Sequence, residues 1–200
     1  MEHILRIILP TYFIIYFAFA FIAKNIAVAK RIGKNPIALQ KNDNIYGHTE
    51  LYFGLVIIFI FIYVLLFAFV PTLYSYFLPI TYIDTWTMKY IGLGILAFTL
   101  VWTIIAQEHL KNSWRIGIDT KTKTEFITTG IFARSRNPIF LGIIGSLIGL
   151  FLITPNALTT LFLILGYILI QIQIKLEEEF LMSQHGQKYM DYKQKVRQLL

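Results

Sequence analysis

Residues 137–174 read NPIFLGIIGSLIGLFLITPNALTTLFLILGYILIQIQI, without an Asp, Glu, Lys or Arg. A transmembrane helix needs ~20 such residues, so the run is too long for one crossing and suits two. Thr154-Pro155-Asn156 is the turn signal that divides it. A tight helical hairpin is expected, which commits the C-terminal half of the chain to a membrane.

Outward from the hairpin, three more apolar runs appear. Ile4 to Ala23 is interrupted only by Arg6 and Pro10, Leu51 to Val70 is uncharged and ends at Pro71, and the third lies between Lys89 and Glu108. Together they predict an all-α integral membrane protein with five transmembrane helices. The first run lacks a basic leader and a clear small-residue cleavage site, so it reads as a span and not as a signal peptide. Composition agrees: 56% of the 200 residues are hydrophobic, 14% are charged, and the mean hydropathy is +0.63. A soluble domain carries ~25% charged residues. Disordered, collagenous, coiled-coil and disulfide-scaffold classes are excluded. The absence of Cys removes thiolate catalysis and Cys metal sites.

Charge sets the orientation. The net charge is +7, and every one of the 18 Lys and Arg residues except Arg6 and Lys89 falls in the 24–50 loop, the 107–137 loop or the tail from Lys175. Cytoplasmic loops carry the excess of Lys and Arg, so the N-terminus is expected outside and the C-terminus inside. The aromatic segment 71–86 then forms the outer interface. In a membrane protein the positive balance reflects anionic lipid on the cytoplasmic face, and nucleic acid is not an expected partner. In the tail, Leu181, His185, Tyr189, Tyr192, Val196 and Leu199 recur at steps of three and four. They form one helical stripe, which predicts a cytosolic interfacial helix continuing from the fifth span.

Two clusters on the cytoplasmic side carry candidate chemistry. One runs from Thr128 to Gly142 and includes Arg134, Arg136, Asn137 and Pro138. Pro138 suits the first turn of the fourth span, whose free N–H groups and partial positive charge attract a carboxylate. The alternative reading makes the arginines positive-inside anchors and the glycines packing contacts. The other cluster is Glu177-Glu178-Glu179, three acids at a helix C-terminus, where they oppose the dipole unless a cation is near. Its alternative is a solvated face paired with Lys175 or with Arg134 and Arg136. Gly142, Gly145 and Gly149 form a side-chain-free strip, and two uses stay open: close approach of a helix, or a groove for a lipid chain. His3, His48, His109 and His185 lack metal-ligand spacing, so no metal site is expected.

The two clusters in order resemble a known pattern. Ser113-Trp114-Arg115 precedes Ile127-Thr128-Thr129-Gly130-Ile131-Phe132; then comes Arg136-Asn137-Pro138-Ile139-Phe140-Leu141-Gly142, a hairpin, and Glu177-Glu178 with Leu181, Gly186, Tyr189, Tyr192 and Val196. This resembles the isoprenylcysteine carboxyl methyltransferase and phospholipid methyltransferase superfamily of integral membrane enzymes over roughly residues 113–197. The resemblance implies S-adenosylmethionine as methyl donor in a cytosolic pocket. It implies Glu125, Phe126, Ile127, Phe132, Asn137, Pro138, Ile139, Phe140 and Glu177 as cofactor-binding residues, with Glu177, Glu178 and Arg136 as candidate catalytic residues. The implied acceptor is lipid-borne or hydrophobic. The family pattern differs at Asn137 (often His), Phe140 (Tyr) and His185 (Phe). Carboxyl-methylating members have an Arg where Gln173 stands, which makes the prenylcysteine carboxylate the alternative acceptor. A nicotinamide-dependent membrane reductase is the alternative from another enzyme class, since such enzymes share an Arg-x-Pro-x-Tyr-x-Gly segment.

Methyl transfer from a sulfonium is an in-line displacement from a donor that is already activated. The protein must position two reactants and exclude water, and no covalent nucleophile is required. Aromatic faces and a carboxylate suit the sulfonium cation, and Phe132, Phe140 and Glu177 supply these types. Residues 1–106 are therefore expected to form a three-helix membrane part and 107–200 a methyltransferase-like part, within a single domain.

Overall fold

The structure, a computed structural model, describes residues 2–39, 44–117 and 125–200. The described residues form seven α-helices and short π and 3₁₀ turns, with no strand beyond isolated bridges. Four helical segments are long and apolar enough to cross a membrane: Glu2–Ile32, Ile45–Phe69, Trp86–Ser113 and Ala157–His185. The shorter apolar helix Pro138–Ile153 has 16 residues.

The first segment consists of α1 (Glu2–Phe17), a π-helical turn (Ala18–Ala23) and α2 (Lys24–Ile32). A π turn widens the helix and loosens the regular carbonyl ladder. Here the Ala20 carbonyl accepts a bond from Gln107 Nε2 at 2.9 Å. Lys24, just beyond the turn, is buried and meets Glu108 at 2.7 Å.

Asn44 caps α3 (Ile45–Phe69), accepting from the Gly47 N–H, and Pro71 stops the helix after Val70. A 3₁₀ turn, Pro71–Phe77, follows. Thr85 caps α4 (Trp86–Leu110). Pro138 opens α5 (Pro138–Ile153) at the position where its missing N–H costs nothing. Asn156 opens α6 (Ala157–His185) through a reciprocal capping box with Thr159. Its Nδ2 also donates to the Tyr63 hydroxyl at 2.8 Å, so the expected turn is buried and pinned to α3.

The core is apolar and lies between α1, α3, α4, α5 and α6, with Leu9, Val64, Leu96, Leu150 and Phe162 at its centre. Large apolar residues such as Phe59, Phe69, Phe98 and Ile164 are exposed on the outside. Water would not favour that surface, but a hydrocarbon solvent does.

The glycine strip resolves in favour of packing. A Cβ on Gly145 would sit 2.5 Å from Thr99 Cγ2, and one on Gly149 would sit 2.7 Å from Leu96 Cδ2. A Cβ on Gly142 would collide with Thr103 Oγ1. The strip is thus filled by α4, which leaves no groove there for a lipid chain. The tail also differs from the continuous stripe expected. Gly186 breaks it at φ +53°, and α7 (Gln187–Lys195) begins after the break. Val196 and Leu199 lie beyond α7.

Candidate functional site

The site is built where α4 ends, α5 begins and α6 ends. Arg136, just before α5, sends Nη2 and Nε to Glu178 Oε1 at 2.8 and 2.9 Å. Lys193 on α7 takes the other carboxylate oxygen at 2.9 Å. Arg136 Nη1 donates to the carbonyls of Lys193 and Val196, its backbone N–H donates to the Arg197 carbonyl, and Asn137 Nδ2 donates to the Gln198 carbonyl. The last residues of the chain therefore run along the start of α5. Burial alone would raise the Glu178 carboxyl, but Lys193 and Arg136 outweigh it and hold the group below the usual carboxylate range.

The neighbouring acid is in a different state. Glu177 Oε1 accepts from Gln173 Nε2 at 3.0 Å, one helical turn back, and among the described residues no cation pairs with it. The apolar part of α6 ends at Ile174, so both acids lie past it. Burial pushes Glu177 up to about 7, and the Gln173 bond opposes this only in part. Glu179, next along, is exposed.

The segment expected to line a cofactor folds over the α4 end in two adjoining clusters. Phe132 and Ile131 are buried against Ala106, with Ile127, Ile139, Trp102 and Leu110 around them. Phe126 stacks on His185 at 4.8 Å and meets Tyr189 and Tyr192 at 5.7 and 5.3 Å. The Tyr192 hydroxyl joins the two clusters by donating to the Phe132 carbonyl at 2.6 Å. Trp102 Nε1 donates to the Pro138 carbonyl at 2.7 Å and so fixes the first turn of α5 against α4. Glu125 lies exposed at the rim, where its carbonyl accepts from Ser113. Phe140 is partly buried on the first turn of α5.

Of the expected residues, Ile127, Phe132 and Ile139 share one cluster, while Phe126 belongs to the neighbouring one on α7. Arg136 and Asn137 are bound to the tail, and Glu178 is paired with Arg136. Sequence reasoning gave no site role to His109 or Lys193, and Trp102 is a packing residue of the cluster. His109 Nδ1 lies 2.8 Å from the Ile105 carbonyl, and its ring packs directly on Gly130. Gly130 adopts φ +65°, so both backbone and neighbour require the absence of a side chain. The available signal was this glycine within the Thr-Gly-Ile-Phe segment.

Residues 87–188, from the first turn of α4 into α7, match the phospholipid methyltransferase family. The chain belongs to this family of methyltransferases, part of the membrane methyltransferase superfamily whose motifs it carries. No curated protein matches the chain.

Proposed function

We propose that the protein is an S-adenosylmethionine-dependent integral membrane methyltransferase that acts on the head group of a membrane-borne lipid. The family match carries this reading, because it covers the candidate residues from Glu125 to Glu178 gathered at the α4–α5–α6 end. The donor set suits the cofactor: aromatic and apolar faces beside a partly buried acid that pairs with no cation among the described residues. S-adenosylmethionine, when bound, supplies an activated methyl group on a positively charged sulfur.

The chain's own residues do the rest. Glu177 binds a cationic part of the donor, and near neutral pH its carboxyl also takes up or gives a proton. The N–H groups of Ile139 and Phe140, at a helix start and so without intrahelical partners, bind a carboxylate. Phe126, Ile127, Phe132 and Phe140 supply aromatic and apolar faces that exclude water, with Glu125 at the rim. Arg136, Asn137 and Glu178 act as positioning residues that fix α6, α7 and the tail against α5. Gln173 supports a phospholipid head group over a prenylcysteine carboxylate, since it offers no guanidinium to an anionic acceptor.

The five-span topology, N-terminus outside and C-terminus inside, belongs to the same proposal. α5 is short, roughly 24 Å by helix rise. Yet it runs from the site to the Pro155 turn, whose carbonyl accepts from the Ile80 N–H. It thus joins the same two ends of the bundle as α4. With that orientation the active site faces the cytoplasm, residues 1–106 are chiefly scaffold, and residues 107–200 carry the chemistry. Titration of purified protein with S-adenosylmethionine and with NADPH tests the function. Saturable binding of the first alone, with methyl transfer to lipid, is expected. Binding of NADPH alone would replace this reading with a reductase.

A further inference from the structure

The opposite end of the bundle holds a cavity of about 260 Å³. Its walls are the start of α1 (Glu2, Leu5, Arg6), the exit of α3 with the 3₁₀ turn (among them Thr72, Tyr74 and Ser75), the start of α4 (Asp84, Lys89) and Ile153. By helix rise it lies roughly 24 Å along α5 from Pro138, so it is separate from the site proposed above and does not depend on that proposal.

Arg6 and Lys89 are the two cations that depart from the charge asymmetry of the chain, and both line this cavity. Lys89 is buried, with Nζ 2.6 Å from Asp84 Oδ1 and 5.0 Å above the Trp86 ring. Arg6 Nη2 lies 3.7 Å from Glu2 Oε2, while its Nε is buried with no hydrogen-bond partner among the described residues. An unpaired buried donor on a charged group is costly. Two ion pairs that served only to neutralise each other would be expected to close on one another and leave no open volume between them. The volume falls below the ~300–1,000 Å³ of sites for drug-sized ligands, which suits a small polar group. Among the described residues the lining carries two positive and two negative side chains. Arg6, Asp84 and Lys89 are largely buried while Glu2 is 64% exposed; a ligand of zero net charge preserves the balance of charge beside the buried groups, whereas a lone anion or cation upsets it.

We propose that this cavity binds a zwitterionic head group with a phosphate on Arg6 and Lys89 and an ammonium on Asp84 and Glu2. Arg6 presents the planar fork that matches phosphate oxygens. The chain lacks Cys, so Ser75→Cys places a unique reporter in the wall, and Ser183→Cys serves as a control on exposed α6. The rate of labelling by a small thiol reagent in detergent is measured with three probes: dihexanoyl phosphatidylethanolamine, glycerophosphoethanolamine and inorganic phosphate. At ten times the dissociation constant, a bound probe slows labelling at Ser75→Cys about tenfold and leaves the control unchanged. Slowing by the lipid and the free head group supports a head-group site. Slowing by the lipid alone supports it too, with the membrane as the source. Arg6→Gln in the Ser75→Cys background should abolish the protection. If that variant does not fold, the protection measured with intact Arg6 still decides. No slowing by any probe, equal slowing of the control, or protection by inorganic phosphate as strong as by the head group would overturn the proposal.

Discussion

Arg136 and Glu178 stand 42 positions apart and meet with Nη2 2.8 Å from Oε1. That contact separates the two adjacent acids of α6: Glu178 is bound to Arg136 and Lys193, whereas Glu177 accepts from Gln173 and pairs with no cation among the described residues. Removing one partner of a buried pair typically costs ~3–5 kcal/mol, and Arg136→Ala also strips the Lys193 and Val196 carbonyls of a donor. Thermal unfolding of Arg136→Ala in detergent should show a loss in that range. Lys193→Ala should cost about 0–1 kcal/mol, because Lys193 is 44% exposed. Comparable losses in the two variants would contradict the buried-anchor role of Arg136.

Glu177→Gln should weaken S-adenosylmethionine binding by ~1.5–3 kcal/mol, roughly 10- to 150-fold, through loss of a charge-assisted contact. Exposed Glu179→Gln should leave it near wild type. Titration calorimetry decides: matching losses, or none in either variant, would reduce the acidic run to a solvated face.

The two acids also predict opposite pH behaviour. The folded-state value of Glu177 is raised from 4.5 to about 7, so the folded state holds more protons between these values, and stability falls as pH rises through that window. Glu178 is lowered; its contribution is present above the ordinary carboxylate value and disappears as pH falls through its lower folded value. Unfolding midpoints from pH 3 to 9, a range set by ordinary carboxylate values of about 4, should show Glu177→Gln flattening the upper window only. Donor affinity should rise with pH through 7 in wild type and stay level in Glu177→Gln. A pH-independent wild-type affinity would count against an ionised Glu177 as the ligand for the donor's cationic part.

Gly145→Leu drives a side chain into Thr99 on α4. Overpacking of this kind costs ~1–3 kcal/mol. Stability, donor binding and turnover should fall together. A variant as stable as wild type that fails only with lipid acceptors would restore the groove reading.

The proposed orientation predicts that Tyr76→Cys, at an exposed position outside the cavity lining, reacts with an impermeant thiol reagent in intact cells and that Ser183→Cys does not. The reverse pattern would move the proposed site to the other face of the membrane.

Much of this arrangement is visible before any coordinates. An uncharged run with one turn signal defines the hairpin, because burying charge in hydrocarbon is expensive. Pro138 marks the start of α5, because few helical positions accept it. The partner of Arg136 is not legible. Successive helix residues point ~100° apart, so the choice among Glu177, Glu178 and Glu179 depends on the rotation of α6 relative to α5. The break at Gly186 and the return of residues 196–198 along α5 are long-range outcomes without a local signature. The glycine strip allows two uses in sequence, and the Thr99 and Leu96 side chains on α4 select one of them.

The wide turn at Ala18–Ala23 works as a gear for rotation. The buried face of α1 runs through Leu5, Leu9 and Tyr12, and beyond the turn it continues through Ala20, Lys24 and Val28. Steps of four outrun an α-helix, which returns every 3.6 residues, and the extra residue in each wide turn absorbs the excess. Without it, the face reaching the end of α4 would shift by about one position, or ~100°, and Lys24 would swing away from Glu108. A single surplus residue in mid-helix thus keeps the first rod in step with the end of α4, and ties the angular setting of Lys24 to the wide turn that immediately precedes it.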